Sequence, residues 1–312
     1  MYKTLLKNIY LAVLLGSIFF NVQAFAAACA TGPAPLVGCE INSVDTTYNM
    51  EGDITPDPNI NGISFSIDAD NNILNLIGNI SASGDFGKGI VLTNSDFNNS
   101  TIRGNITTAG ERGWGIYFES DSDFNTTTII GNIDTQGLNS YGIFLKHGDS
   151  NTINVTGNIT TTAQGSDGIQ IGTAVSVNNL NTINVIGNIT TITNGSEGIY
   201  MINSESNTIN LTGNISTTGT ASYGIYFDSN TDSNNTNITG NITTTAENTH
   251  GIYLFDSDNN TFELNGDIDI SGIDAYAIFN ELSSQGNSFV IDGLVKKSDN
   301  SDNSAYALYN LG

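Results

Sequence analysis

The sequence predicts an all-β fold, a right-handed parallel β-helix of about ten coils, and three observations predict it. A Gly-Asn/Asp-Ile element recurs from Gly52 through Gly78, Gly104, Gly131, Gly157, Gly187, Gly213, Gly240 and Gly266 to the weakened Gly293-Leu294-Val295. The steps are 26 or 27 residues, with one of 30 between Gly157 and Gly187. Apolar residues stand at every second position around each copy, the mark of strands with one buried face. An asparagine stands six residues before each glycine from Gly78 onward, as Asn72, Asn98, Asn125, Asn151, Asn181, Asn207, Asn234, Asn260 and Asn287.

Each element follows from these patterns. Leu211 and Ile215 flank Gly213 at two residues on either side, and Ile209 lies four before it. A second element, Gly-Ile, follows each first glycine by eleven residues in most copies, as at Gly224-Ile225, with Phe227 two positions on. Both read as short strands. Such a unit is too small to bury its own apolar face, so neighbours must stack. At roughly 4.8 Å per coil, ten coils make a rod about 45–50 Å long. The asparagines have the parity of buried residues but sit where the chain turns; stacked side chains there can bond along the column and satisfy turn backbone. The 30-residue step reads as an insertion over 172–180, after the Gly-Ile strand. A leucine-rich repeat is the competing fold, but its Leu-x-Leu-x-x-Asn spacing fits only Ile225 to Asn230.

The ends of the chain carry other signals. Lys3 and Lys7, an apolar run from Ile9 to Phe20 and the small residues up to Ala28 read as a secretory signal peptide over 1–28. The run is shorter than the roughly 20 residues a spanning helix needs, and the mature chain has no second one. Residues 29–51 read as an N-terminal cap and 52–312 as repeats. In an oxidising compartment Cys29 and Cys39 are expected to pair, closing a loop worth roughly 2–3 kcal/mol. The alternative fate of Cys29 is lipidation.

Charge excludes one class of partner. The chain has 8 Lys+Arg against 31 Asp+Glu, a formal charge of −23, so no basic surface exists to neutralise phosphates and nucleic acid is not a partner. Carboxylates such as Asp96, Asp121, Asp123, Asp149, Glu205, Asp228, Asp232, Asp256 and Asp258 fall at the turn after the Gly-Ile strand. They read as a solvated corner rather than a Ca²⁺ or catalytic edge. His147 and His250 lie four coils apart in different columns, and Arg103 and Arg112 are isolated. No catalytic, cofactor or metal residues are expected.

The wording Asn-Thr-Ile-Asn-Leu-Thr-Gly-Asn-Ile from Asn207, with Tyr223-Gly224-Ile225-Tyr226-Phe227, resembles the passenger regions of bacterial autotransporters. So does the Cys pair preceding Gly52-Asp53-Ile54. The resemblance covers about 29–312 and implies export towards the surface of a Gram-negative bacterium: periplasm, cell surface or medium. That family ends in a membrane β-barrel, which this sequence lacks, so a separate or missing outer-membrane translocator is an expected partner.

The candidate binding surface is aromatic. Tyr117, Phe144, Tyr200, Tyr226, Tyr253 and Phe279 each follow the Ile of the second element, and alternation points them away from the core. Such a strip could take a glycan or a surface protein. An adhesion or binding protein is therefore the leading expectation, a structural stalk the second, and a polysaccharide-active enzyme the third. One irregular coil with clustered acid and base would favour the enzyme, and the irregular coil is the one holding 172–180.

Overall fold

A computed structural model describes residues 27–29, 32–33, 37–298 and 308–310. The described strands form three parallel sheets of 12, 11 and 9 strands. Each strand pairs with its counterpart one coil away, and from Ile63–Phe65 onward every step in a sheet skips one strand of each of the other two, which is the topology of a parallel β-solenoid. No helix occurs among the described residues, which removes the leucine-rich repeat.

The central coil shows how one unit is built. Thr208–Thr212 pairs with Thr182–Ile186 below and Asn235–Thr239 above. After the turn at Gly213, Ile215–Thr217 joins the second sheet. Ile225–Phe227, following Gly224, joins the third, here called the Gly-Ile sheet. The register aligns like with like: Ile215 on Ile189 and Ile242, Ile225 on Ile199 and Ile252. Inward residues fill one continuous core along the axis. Repeating Ile and Leu thus bury their side chains against copies of themselves, each worth about 1.5–3 kcal/mol relative to exposure.

The rungs begin before residue 52. Cys39–Ile41 pairs with Ile63–Phe65, and Thr47–Glu51 with Ile73–Ile77, so the segment expected as a cap already winds as solenoid. Cys29 and Cys39 form a disulfide on the first rung, where Ala27–Ala28 lies against Cys39 and Glu40. That bond leaves Cys29 no thiol for a lipid. Residues 1–26 of the expected signal peptide lie outside the described residues.

The asparagine column is a ladder of buried hydrogen bonds. Asn125 Oδ1 accepts the Asn98 backbone N–H at 2.9 Å, while its Nδ2 donates to the Ser95 carbonyl at 2.8 Å. The same pair of bonds recurs at Asn151, Asn181, Asn207, Asn234 and Asn260. Each side chain thereby closes the turn of the coil before it, a buried polar group with its partners supplied by the repeat itself.

The acidic corner works the same way from the outside. Asp96, Asp123 and Asp149 each accept a backbone N–H from the next coil, at 2.8, 2.7 and 2.7 Å. Burial first, and then neighbouring carboxylates, hold the Asp96 carboxyl above its usual range. Among the described residues no group of three or more His, Cys, Asp or Glu is placed to hold a metal ion.

Candidate functional site

One face of the solenoid differs from the other two. On the Thr208–Thr212 sheet the outward residues stay open, whereas Ile143–Leu145 and Ile169–Ile171 of the Gly-Ile sheet are buried on both sides. The cover is a double file of side chains. One file is the column anticipated from alternation: Tyr117, Phe144, Tyr200, Tyr226, Tyr253 and Phe279, extended by Tyr309. The other stands one residue before each Gly of the Gly-Ile element, or before Ala277 in the last copy: Lys88, Trp114, Tyr141, Asp167, Glu197, Tyr223, His250 and Tyr276. Alternation assigns this second file to the core. It faces outward because the chain bends at the glycine.

The expectation that the whole first file is an exposed strip needs correction at its lower end. Tyr117 is 2 % exposed and Phe144 5 %, in a cluster with Val91 that Trp114 and Tyr141 cover. Trp114 lies 4.2 Å from Tyr117 and 5.1 Å from Phe144 between ring centroids. Two files of large rings three residues apart cover one another, which a single column does not reveal. Lys88 Nζ sits 5.0 Å above the Trp114 ring and 5.6 Å from Tyr117. Burial lowers the Lys88 pKa, and the field of Glu119 works against that by favouring the charge.

The upper end is half-exposed. Successive rings touch along the axis, stacked at 4.8 Å for Tyr226–Tyr253 and 4.9 Å for Phe279–Tyr309, tilted at 5.2 Å for Tyr200–Tyr226 and edge-to-face at 5.3 Å for Tyr253–Phe279. Tyr200 donates to Asp228 at 2.9 Å and Tyr253 to Glu281 at 2.6 Å. Burial, and then those carboxylates, push both phenols well above their ordinary range. The rings therefore stay neutral, with fixed hydroxyls along one rim.

Between the two aromatic stretches both files change character. Gln170 stands between Phe144 and Tyr200 in the first, and Asp167 and Glu197 stand between Tyr141 and Tyr223 in the second. Asp167 is 4 % exposed and Gln170 7 %. Asp167 Oδ1 accepts the Glu197 backbone N–H at 2.8 Å. Burial and then the Glu197 charge raise Asp167 well above the carboxylate range, and burial raises Glu197. The same coil carries the insertion. It folds back so that Ser176 Oγ and Asn178 Nδ2 donate to the Lys146 carbonyl at 2.5 and 3.0 Å, with Val175 93 % exposed at its tip.

His250 is the titratable member of the upper rings. It stacks on Tyr223 and Phe279, each at 5.1 Å, and its Nδ1 accepts the Tyr276 N–H at 3.1 Å. Burial pushes its pKa down to about 4. A folded-state value below the unfolded one of about 6.5 means that neutral histidine stabilises the fold. That contribution is complete above pH 6.5 and is lost as the pH falls towards 4, by about 2–3 kcal/mol. Asp167 and Glu197, raised instead, gain on acidification and oppose it. The difference between the parent and His250→Phe isolates the histidine. The variant is expected to start less stable by a roughly constant amount, from the lost Tyr276 bond, and to lose less stability in urea between pH 7 and 4.5. Parallel pH profiles would refute the assignment. His147 sits apart, its Nδ1 2.5 Å from Asp121, so the two histidines share no site.

No family model matches this chain, and no curated protein matches it. A solved structure similar to it is tailspike protein 3 of bacteriophage CBA120, at 11 % identity and a TM-score of 0.30. The match covers 91 % of this chain and 55 % of that one, so the chain spans about half the length of the structure it matches.

Proposed function

We propose that the chain is an exported binding protein, of the autotransporter-passenger kind, that holds a glycan along the outward rings of its Gly-Ile sheet at a bacterial surface. The observation that carries the reading is the double file over the upper coils. Tyr200, Tyr226, Tyr253 and Phe279 run beside Tyr223, His250 and Tyr276, half-exposed and in contact from coil to coil. A continuous apolar ribbon with a rim of hydroxyls, Asp228 and Glu281 suits a long polyhydroxylated ligand. It gives apolar contact to C–H faces and acceptors to hydroxyls.

The stalk reading explains the uniform core but gives no reason for rings to gather on one face. The enzyme reading finds less support: glycoside cleavage needs two carboxyl groups flanking a bound sugar, and Asp167, which accepts the Glu197 backbone N–H at 2.8 Å, is only 4 % exposed. The test is a glycan array probed with the parent and with a Tyr226→Ser/Tyr253→Ser variant. Loss of at least tenfold in affinity with unchanged far-ultraviolet circular dichroism supports the strip; equal binding by both proteins refutes it.

A further inference from the structure

The sheet that carries Thr208–Thr212 presents an outward surface of another kind. Over five successive strands, from Thr126–Ile130 to Asn235–Thr239, three positions of each strand face outward and are partly or fully exposed. In the central rung they are Thr208, Asn210 and Thr212. The register sets each position directly on its counterpart in the next coil. Past the glycine turn a fourth outward column runs beside them, asparagine in all five coils, as at Asn188 and Asn214. No charged residue and no aromatic one stands in these four columns over the five coils, in a chain of formal charge −23. Charges resume at either limit, with Arg103 one rung below and Glu263 one rung above.

Folding accounts for the threonines, whose branched side chains suit strands, but not for the asparagines, which strands disfavour. In mid-strand these join into a ladder. Asn184 Nδ2 donates to Asn154 Oδ1, Asn210 Nδ2 to Asn184 Oδ1 and Asn237 Nδ2 to Asn210 Oδ1, each at 2.8 Å. Such a bond adds only about 0.5–1.5 kcal/mol to stability. What the ladder supplies is order. The same bond fixes each amide, with one N–H spent and a second left for solvent, and the threonines on either side are stiff at χ1. Polar groups therefore repeat at about 4.8 Å along the axis and about 6.6–6.8 Å along each strand.

A rigid, uncharged surface that is periodic in two directions suits a ligand that is itself uncharged and periodic. Ice is such a ligand. Its surface repeats oxygen sites at intervals of similar size and offers donors and acceptors that hydroxyls and amides can meet. Water held in advance by the face has already given up part of its freedom, which lowers the cost of joining it to a crystal. A charged group would organise a hydration shell of its own and break that layer, so the missing charges acquire a reason. A glycan fits less well, because its C–H faces are met by rings, and the stacked rings stand on the Gly-Ile sheet. We propose that the outward face of the Thr208–Thr212 sheet, over the five coils from Thr126 to Thr239, binds ice. The inference is independent of the glycan reading, which concerns another sheet.

The test measures the gap between the melting and freezing temperatures of a single ice crystal in a solution of the full chain. The parent is expected to hold a faceted crystal without growth below its melting point, where buffer alone lets it grow at once. Thr208→Lys/Thr212→Lys puts two charges at the centre of the face and is expected to shrink the gap at least tenfold. Both positions face outward, so the circular dichroism and thermal melt of the variant are expected to stay near the parent's. Thr212→Lys alone, at the exposed end of the strand, serves should the double variant misfold. Tyr226→Ser/Tyr253→Ser is expected to leave the gap unchanged, which separates failure of this inference from failure of the glycan strip. Growth of a rounded crystal at the melting point in the parent solution overturns the inference, as does a full gap with the lysine variants. Retention of the parent on microcrystalline cellulose without any gap, lost in the lysine variants, overturns it in favour of a crystalline glycan. A parent dimer in sedimentation that the lysine variants dissolve overturns it in favour of a second copy on this face.

Discussion

Asn207→Ala is expected to destabilise the solenoid by about 3–5 kcal/mol and to split its unfolding into two transitions. Asn207 Oδ1 accepts from the backbone N–H of Asn181 at 2.9 Å and from its Nδ2 at 3.1 Å. Asn207 Nδ2 donates to the Asn178 carbonyl at 2.9 Å and to Asn234 Oδ1 at 3.1 Å. Truncation to the β-carbon leaves the Asn181 N–H and the Asn178 carbonyl without partners in a column where Asn207 is 1 % exposed. Each orphaned group costs about 1–3 kcal/mol, and the vacated volume adds to it. In a solenoid each coil contacts only its neighbours, so a weak coil in the middle uncouples the two halves. Urea unfolding followed by circular dichroism should show a lower first midpoint and a shallow second one. Asn287→Ala is the comparison. Asn287 is only partly buried at the top of the ladder, and its loss should cost about 1 kcal/mol. Asn207→Asp sharpens the test, because it keeps the acceptor and removes the donor. It should be as damaging as alanine at pH 7, and recover in acid as the carboxyl regains a proton to donate. Equal stability of all four proteins would mean that the ladder is a consequence of stacking and contributes nothing to it.

That ladder is legible in the sequence because repetition converts a weak local signal into a column. One asparagine before a strand says little. Nine at the same offset say that the position stacks on itself, and stacking dictates its bonds. The core is legible for the same reason, since Ile215 and Ile225 occupy places whose copies above and below are again isoleucine. The outward face is legible only in part. Alternation is a rule for an extended chain, and the chain bends at Gly168 and its equivalents. Asp167 has the parity of Ile169 and Ile171 yet stands outside with Gln170. Parity therefore places one file of rings correctly and assigns its neighbour to the interior. The burial of Tyr117 and Phe144 escapes it as a result, because what covers them belongs to that second file. A search for columns that break their own pattern would have found the break in both files. Gln170 is the one polar residue between Tyr117 and Phe279 in its file, and Asp167 and Glu197 are the two acids in theirs.

Gly213→Ala is expected to cost about 3–5 kcal/mol, although it adds a single methyl group to a turn near the surface. Gly213 has φ of 150°, a conformation that L side chains rarely adopt. A β-carbon built there lies 2.0 Å from the carbonyl oxygen of Gly187 and 2.5 Å from its carbonyl carbon. The obstacle is backbone of the neighbouring coil, so no rotamer change relieves it. A β-carbon on Gly187 would in turn lie 2.1 Å from the Gly157 carbonyl oxygen, which shows why the substitution cannot be absorbed by sliding: moving one coil presses it on the next. Opening the stack enough to admit a methyl would lengthen the bond from the Gly187 N–H to the Thr212 carbonyl, now 2.9 Å. Gly195→Ala provides the contrast. Its φ is 60°, in the left-handed region that several non-glycine turn residues of this chain also occupy, and nothing lies within 4 Å of the added carbon. That variant should lose only about 1 kcal/mol. Thermal melts of the two variants therefore separate close approach from φ preference. Equal losses at Gly213 and Gly195 would show that dihedral strain alone selects glycine, and that the coils have slack between them. A large loss at Gly213 alone means that glycine sets the spacing of the coils, and with it the distance between successive rings of the strip.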